Sequence, residues 1–600
     1  MISKSRVNLL RLVPSASLAA LAFAGLSLHI PRQFDLHHTG LLATKLIAAG
    51  DSYAMHSEVF SQYGPLLTWS QVPFLWLGYS PVVTLHIWAA LVTALTVFLI
   101  ADVGRVAPQN WKVSQSVSTM AAAVWFVLDP TLRTGYLNAW SSLLVAFLFC
   151  AALYLLAIGM RRLEVTGSTA FVTASLVLAG VLIGLSPFAR INAGLAGVVV
   201  LIIAASIFAT LNRMDGRWIF PRLIGGILIG VTIPIVILLT TASMSDYWSQ
   251  GVVGPLLWAQ SAIEPTYWNT WSGLLDRFLS VSNRIIPLFL LMIVGFGAAS
   301  HFLSRGLRKP YLASLAVAMA ALFAFFGYLA GFIDLALRAL RDSELNLAAE
   351  YQSISEDLYR NGLYFLVFAY SILSVFQLVR IVLSAMKTSG KTGTDAFFDL
   401  VLWGLGLALL IQVIPTYDNR HAWWALPLAI LSVVRFTDHV APNRWSSRVF
   451  GLSLFLLFVL PMLGASSQEL ARTLHPAPVG SFAAGASTET DMVREAEYQL
   501  EVAKIISSKP SYSPTYYMVR DGSVAAIDGI YRSAFPEFVW WASKPNIVEI
   551  NDVPWSALVI DSWTAGFLGF ENMEELILWF GAESECVGER AQTIYCVVSR

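Results

Sequence analysis

Long apolar runs separated by short polar segments cover the chain up to residue 466, and then the pattern changes. A helix rising 1.5 Å per residue needs about 20 residues to cross a hydrocarbon core about 30 Å thick. Runs of that length or near it fall at 12–30, 81–101, 114–129, 139–160, 169–187, 191–210, 222–242, 285–303, 311–332, 361–383, 397–414, 422–434 and 449–466. The pattern predicts thirteen membrane-spanning helices, those at 114–129 and 422–434 being short. Residues 31–80 form a long first loop. Residues 467–512 are rich in Ala, Ser, Pro and Gly, with a helix expected over 489–507. Beyond them, 556–561 and 593–598 read as strands and 572–580 as a short helix. The expected fold is an all-α polytopic membrane core, 1–466, a linker, 467–512, and a small C-terminal α/β domain, 513–600.

Composition agrees with the pattern. Of the 600 residues 56% are hydrophobic and only 13% charged, against about 25% charged in soluble domains. Mean hydropathy is +0.65. A disordered chain, a cytosolic enzyme and a nucleic-acid binder built on basic patches are excluded. Net charge is zero, but it is divided: from Ser467 onward there are 18 acidic and 9 basic residues, net −9, which leaves the core at net +9. Two compartments with different surface chemistry are joined in one chain.

Basic residues in short loops set the orientation. Lys4, Arg6 and Arg11 precede the first run, so the N-terminus is expected in the cytoplasm. Alternation then places inside Arg105 and Lys112, Arg161 and Arg162, Arg213, Arg217 and Arg222, Arg305, Arg308 and Lys309, Lys387 and Lys391, and Arg435, Arg444 and Arg448. The first loop, the segments 242–284 and 333–360, and the C-terminal domain then lie outside, and a bacterial plasma membrane is the simplest host. Ala22-Phe23-Ala24 resembles a signal-peptidase site, but the apolar stretch runs on to Ile30, as a retained span would.

Candidate chemistry gathers on the outer loops. The first reads Phe34-Asp35-Leu36-His37-His38-Thr39-Gly40, then Gly50-Asp51, then Phe60-Ser61-Gln62-Tyr63-Gly64-Pro65-Leu66. Asp35 follows the first span closely, at the height of lipid head groups, where a carboxylate can take a proton from an attacking hydroxyl. His37 and His38 could orient it, bind substrate oxygens, or join it in holding a divalent metal; Asp-x-His-His is not by itself a strong metal spacing. An ordinary polar loop is the plainer reading of these residues alone. A second cluster, Asp418-Asn419-Arg420-His421, lies between two spans, where Arg420 could pair bidentately with a phosphate or anchor a turn at the interface with Asp418 as its partner. Arg190, after Ser186-Pro187-Phe188-Ala189, interrupts two apolar runs, as either a boundary residue or a second phosphate contact. Aromatic residues over 246–276 read as interfacial anchors, and 334–360 as an amphipathic helix on the interface. Cys586 and Cys596 are expected to form a disulfide in an oxidising compartment, with two free thiols as the alternative. Cys150 reads as a small buried apolar residue. No nucleotide-binding glycine loop of either common type is present, so neither ATP nor a dinucleotide is expected.

Asp35 near the end of the first span, a glycine about fifteen residues on, and Phe60-Ser61-Gln62-Tyr63-Gly64-Pro65-Leu66 together resemble the first outer loop of the GT-C superfamily of polytopic glycosyltransferases, which includes protein O-mannosyltransferases and aminoarabinose transferases. The resemblance covers that motif and the general layout. It implies a polyprenyl-phosphate sugar donor, an outer glycan, lipid or protein acceptor, and Asp35 as base; His37, His38, Tyr63, Arg190, Asp418, Arg420 and His421 are the residues then expected around the substrates. The acidic pair common in that superfamily is incomplete here, since Leu36 follows Asp35. The expected reaction is a single displacement with inversion. A transporter or flippase of lipid-linked sugars, and a glycan polymerase or ligase of another membrane fold, remain the alternatives.

Overall fold

The computed structural model describes residues 2–28, 47–48, 50, 56, 64–77, 81–107, 115–130, 139–167, 170–211, 215–240, 244–253, 363, 367, 370–371, 373–383, 394–413 and 419–440 of the core, and 498, 501–502, 504–509, 515–518, 532–533, 556–562, 565–566, 569–580, 583–588 and 594–599 of the tail. The protein is an all-α multipass membrane protein with a small β-containing C-terminal domain. The expected spans at 285–303, 311–332 and 449–466 lie outside the described residues, as do Asp35, His37, His38, Tyr63 and Asp418.

The core helices are α1 (Ile2–Leu28), α2 (Pro65–Trp76), α3 (Pro81–Val106), α4 (Gln115–Val127), α5 (Ser141–Thr166), α6 (Ala170–Leu185), α7 (Ile191–Leu211), α8 (Asp215–Thr240), α9 (Thr394–Leu410), α10 (Asn419–Ala425) and α11 (Pro427–Val440). Among the described residues, six stretches are long and apolar enough to cross a membrane: Thr84–Val106, Ser141–Val165, Ala170–Phe188, Ile191–Thr210, Arg217–Thr240 and Ala396–Val413. Their outward faces are apolar, with Val199 and Leu239 more than half exposed, as expected where lipid replaces water.

Side-chain contacts set the directions. The carbonyl of Ser27, near the end of α1, lies 3.1 Å from His86 Nε2 at the start of α3. Midway along α1, Ser15 Oγ donates at 3.4 Å to Asp102 near the end of α3, so the two helices are antiparallel. Asp102 also accepts from Tyr154 of α5 at 2.6 Å, and Arg161, further along α5, donates to the Arg105 carbonyl, further along α3, so α5 runs parallel to α3. Arg105 Nε and Nη2 bind the same carboxylate at 2.7 and 2.6 Å. Asp102 is fully buried, and a buried carboxylate is tolerable only with such satisfaction. Arg105, expected in a loop, is thus the last-turn partner of a buried acid. The bundle has a proximal end, where α3 finishes, and a distal end, where α1 finishes.

Two glycine pairs bring α6 and α8 together. A Cβ on Gly180 or Gly184 would lie 2.4 or 2.3 Å from the carbonyls of Leu223 and Ile227. One on Gly226 or Gly230 would lie 2.2 or 2.3 Å from those of Val177 and Val181. This reciprocal small-xxx-small seam lets two helix backbones approach without the hydrophobic driving force that lipid removes.

The first loop is not all loop: α2 occupies its second half, with Pro65 at the first helical position. Trp88 Nε1 donates to Ser70 Oγ at 3.0 Å and fixes α2 against α3. The short span expected at 422–434 is two helices. Leu426 breaks them, because Pro427 has no N–H to continue α10 and instead starts α11. Arg435 of α11 pairs with Asp399 of α9 at 3.4 Å near the proximal end.

In the tail, the described strands β1 (Thr515–Met518), β2 (Arg532–Ser533), β3 (Ala557–Asp561), β4 (Glu583–Val587) and β5 (Tyr595–Ser599) form one sheet in the order β2-β1-β3-β5-β4. β1 is parallel to β2 and β3; β5 is antiparallel to β3 and β4. Helix α12 (Met573–Phe580) buries Met573 and Leu576 against Leu558, Ile560 and Val598. Its start is capped: Asn572 Oδ1 accepts from Glu575 N at 2.9 Å, and Glu575 Oε2 accepts from Glu571 N at 2.7 Å. Cys586 and Cys596 face each other across β4 and β5 and are disulfide-bonded.

Candidate anion site at the distal end of the bundle

The site is built on the start of α5. Trp140 holds the N-cap position in extended conformation, φ −103° and ψ 158°, and offers no side-chain cap. The first N–H groups of a helix have no intrahelical acceptor, and they carry the positive end of the helix dipole. Here Ser141 and Ser142 supply them. Arg190 Nη1 donates to Ser142 Oγ at 2.6 Å. The guanidinium of Arg420 lies 5.1 Å from the centre of the Trp140 ring. His421 meets Trp140 edge-on at 5.4 Å and Trp424 at 5.2 Å. Three residues singled out in the sequence, Arg190, Arg420 and His421, therefore come to one helix terminus, although 230 positions separate the two arginines.

Arg190 reaches Ser142 because its backbone is locked. Ser186–Phe188 form one tight 3₁₀ turn after α6, and the N–H groups of Ala189 and Arg190 both bond the Ser186 carbonyl at 3.1 Å. The break is thus a tight turn, yet its arginine points into the protein and is half-buried. Arg420 is held by a tryptophan clasp. Trp125 of α4 and Trp423 of α10 stack at 4.7 Å and 4°, and each indole N–H donates to the other's carbonyl, at 3.0 and 2.8 Å.

The first loop docks against the Arg190 turn. Gly64 N donates to the Ala189 carbonyl at 3.2 Å. Gly64 has φ −67° and ψ 156°, an ordinary extended conformation. That backbone conformation does not itself require a glycine. A Cβ there would lie 1.8 Å from the Phe188 carbonyl oxygen, so the glycine permits close approach. Phe188, Leu238 and Tyr247 form a small core with Leu66 and Trp69. His56 packs edge-on to Tyr247 at 5.2 Å, and Gln250 donates to the His56 carbonyl. His56 has φ 66°, a conformation costing about 1 kcal/mol for a side-chain residue. Burial raises the Tyr247 phenol to about 12, so it stays neutral.

Trp140, Ser141 and Ser142 were not anticipated from the sequence. Their signal was present in two serines opening an apolar run, but nothing local marks a helix start as a meeting place for distant arginines. Asp129 is buried just beyond α4. Among the described residues, no three His, Cys, Asp or Glu side chains gather where a metal could be held; Asp35, His37 and His38 lie outside those residues.

No family model and no curated protein matches the chain. Among solved structures, it is similar to ArnT from Cupriavidus metallidurans bound to undecaprenyl phosphate, at 13% identity and TM-score 0.43 over 98% of this chain and 97% of that one. It is also similar to the archaeal oligosaccharyltransferase AglB from Archaeoglobus fulgidus in complex with an inhibitory peptide and a dolichol-phosphate, at 12% identity and TM-score 0.46 over 99% of this chain and 74% of that one. Both are enzymes of GT-C fold.

Chemically, two guanidinium groups, an imidazole and an uncapped helix start make a positive, partly desolvated place suited to an oxyanion, above all a phosphate.

Proposed function

We propose that the protein is a membrane glycosyltransferase that moves a sugar from a polyprenyl-phosphate donor to a glycan, lipid or protein acceptor on the outer side of the membrane. The observation that carries this reading is the convergence of Arg190, Arg420 and His421 on the start of α5, with Gly64 hydrogen-bonded to the Arg190 turn. The basic loops support placing the distal end outside.

In the proposed reaction Asp35 takes the proton of the acceptor hydroxyl as its oxygen attacks the anomeric carbon. The bond from that carbon to the phosphate oxygen breaks, and the electron pair leaves with the lipid phosphate. Arg190 and Arg420 stabilise the departing charge. One displacement inverts the anomeric centre. His37, His38, Tyr63 and Asp418 contact the substrates, and His421 holds the Trp140 side of the pocket.

The test is transfer by the purified protein from radiolabelled polyprenyl-phosphate sugars of several kinds to outer-membrane-face acceptors. Asp35→Asn is expected to lower transfer by about 10²–10⁴-fold while lipid-phosphate binding persists. Undiminished transfer rejects Asp35 as base. Movement of the intact lipid-linked sugar across vesicles without transfer would instead identify a flippase.

A further inference from the structure

We infer that the first turn of α5 is itself a phosphate-binding element, in which Ser141 and Ser142 contribute their backbone N–H groups and Ser141 its hydroxyl to the same phosphate that the arginines face. This rests on the polyprenyl-phosphate reading and names the part of the site that the arginines do not supply.

Two observations carry it. The first is the uncapped terminus. Trp140 cannot satisfy the leading N–H groups with its side chain, and the earliest bonds in the helix are those of Leu143 and Leu144 to the Trp140 carbonyl, at 3.1 and 3.4 Å. An uncapped start is unfavourable wherever water does not reach it. The second is independent of the terminus. Ser141 Oγ is fully buried without a hydrogen-bond partner, and so is Trp424 Nε1. Ser141 is the first helical residue, so its hydroxyl lies in the same turn as the leading N–H groups. Trp424 packs 4.9 Å from Trp140. Buried polar groups are normally paired. Here two donors beside one helix start lack an acceptor, while Arg190 bonds Ser142 and Arg420 lies over Trp140 at that start. A phosphate supplies several acceptor oxygens and the negative charge that a helix N-terminus favours.

The full chain in phosphatidylcholine nanodiscs tests this with tritiated polyprenyl phosphate as probe. Ser141→Ala removes the hydroxyl assigned to the phosphate, and Ser142→Ala removes the one that holds Arg190 at this turn; each is expected to weaken binding about tenfold, the loss of one hydrogen bond involving a charged group. Ser141→Asp places a carboxylate where the phosphate would sit. It is expected to abolish binding while leaving the unfolding midpoint unchanged or higher, because acids favour a helix start. Competition by inorganic phosphate but not by the uncharged polyprenol assigns the contact to phosphate oxygens, whereas competition by polyprenol alone overturns it. Wild-type affinity in all three serine variants overturns the role of this turn and leaves the transferase reading standing. Absence of binding by the wild-type protein overturns both.

Discussion

At the scale of single residues, Gly64 and Arg420 show how position rather than type confers a role. Gly64 was legible as part of a motif, but its reason was not. It serves a backbone-to-backbone approach between segments more than 120 positions apart, and no local pattern encodes that distance. Gly64→Ala drives a methyl group into the Phe188 carbonyl and is expected to destabilise the protein by about 1–3 kcal/mol. It should also lower transfer, because the loop no longer seats on the Arg190 turn; thermal unfolding in detergent read beside activity checks both. Arg420 combines charge with a planar face over Trp140. Arg420→Lys keeps the charge and loses the stacked, fork-shaped donor set. Weaker donor binding, on the order of tenfold, is expected in a titration of polyprenyl phosphate, with fold and expression unchanged.

At the scale of elements, the seam between α6 and α8 and the break before α11 were both written in the chain. Glycines recur at 180 and 184 and at 226 and 230, and Pro427 interrupts an apolar run. Which glycine pairs meet is a tertiary matter, because any two small-residue stripes could pack. Gly226→Leu would push α8 off the carbonyl of Val177. A loss of about 2 kcal/mol or more is expected, visible as a lower detergent-denaturation midpoint. The same change on Gly225, whose Cβ would meet nothing within 4 Å, should be neutral. The Trp125–Trp423 clasp works likewise for α10: its two hydrogen bonds set the height at which Arg420 and His421 stand.

At the scale of the whole molecule, charge and apolar pattern divide the chain into a membrane core and an acidic tail. If the distal end faces outward, a single cysteine introduced in the tail should react with a membrane-impermeant maleimide on intact cells, and one beside Arg161 should not. The opposite result would invert the orientation. In the tail domain, replacing Cys586 and Cys596 by Ser removes a crosslink across neighbouring strands. A loss of about 2–3 kcal/mol is expected for so short a loop, measurable by denaturant unfolding of the full protein under oxidising and reducing conditions.

The sequence alone determined the class of the protein, the approximate course of the six long apolar helices among the described residues, and strands β3 and β5 with helix α12, because burial in lipid or in a sheet centre imposes a periodicity that survives in one dimension. It did not reveal β4, an exposed edge strand of Glu583, Ser584 and Glu585 whose pairing is made by backbone rather than by apolar alternation. Nor did it show α2 inside the first loop, or that Arg105 answers a buried Asp102. It marked Arg190, Arg420 and His421 as unusual, since charge beside apolar runs is conspicuous. Only the tertiary structure decided that they meet, and that they meet at Trp140, Ser141 and Ser142. An anion site is a sum of fields from groups brought within a few ångströms, and closeness in space between residues 142, 190 and 420 is a property of packing that no stretch of chain contains.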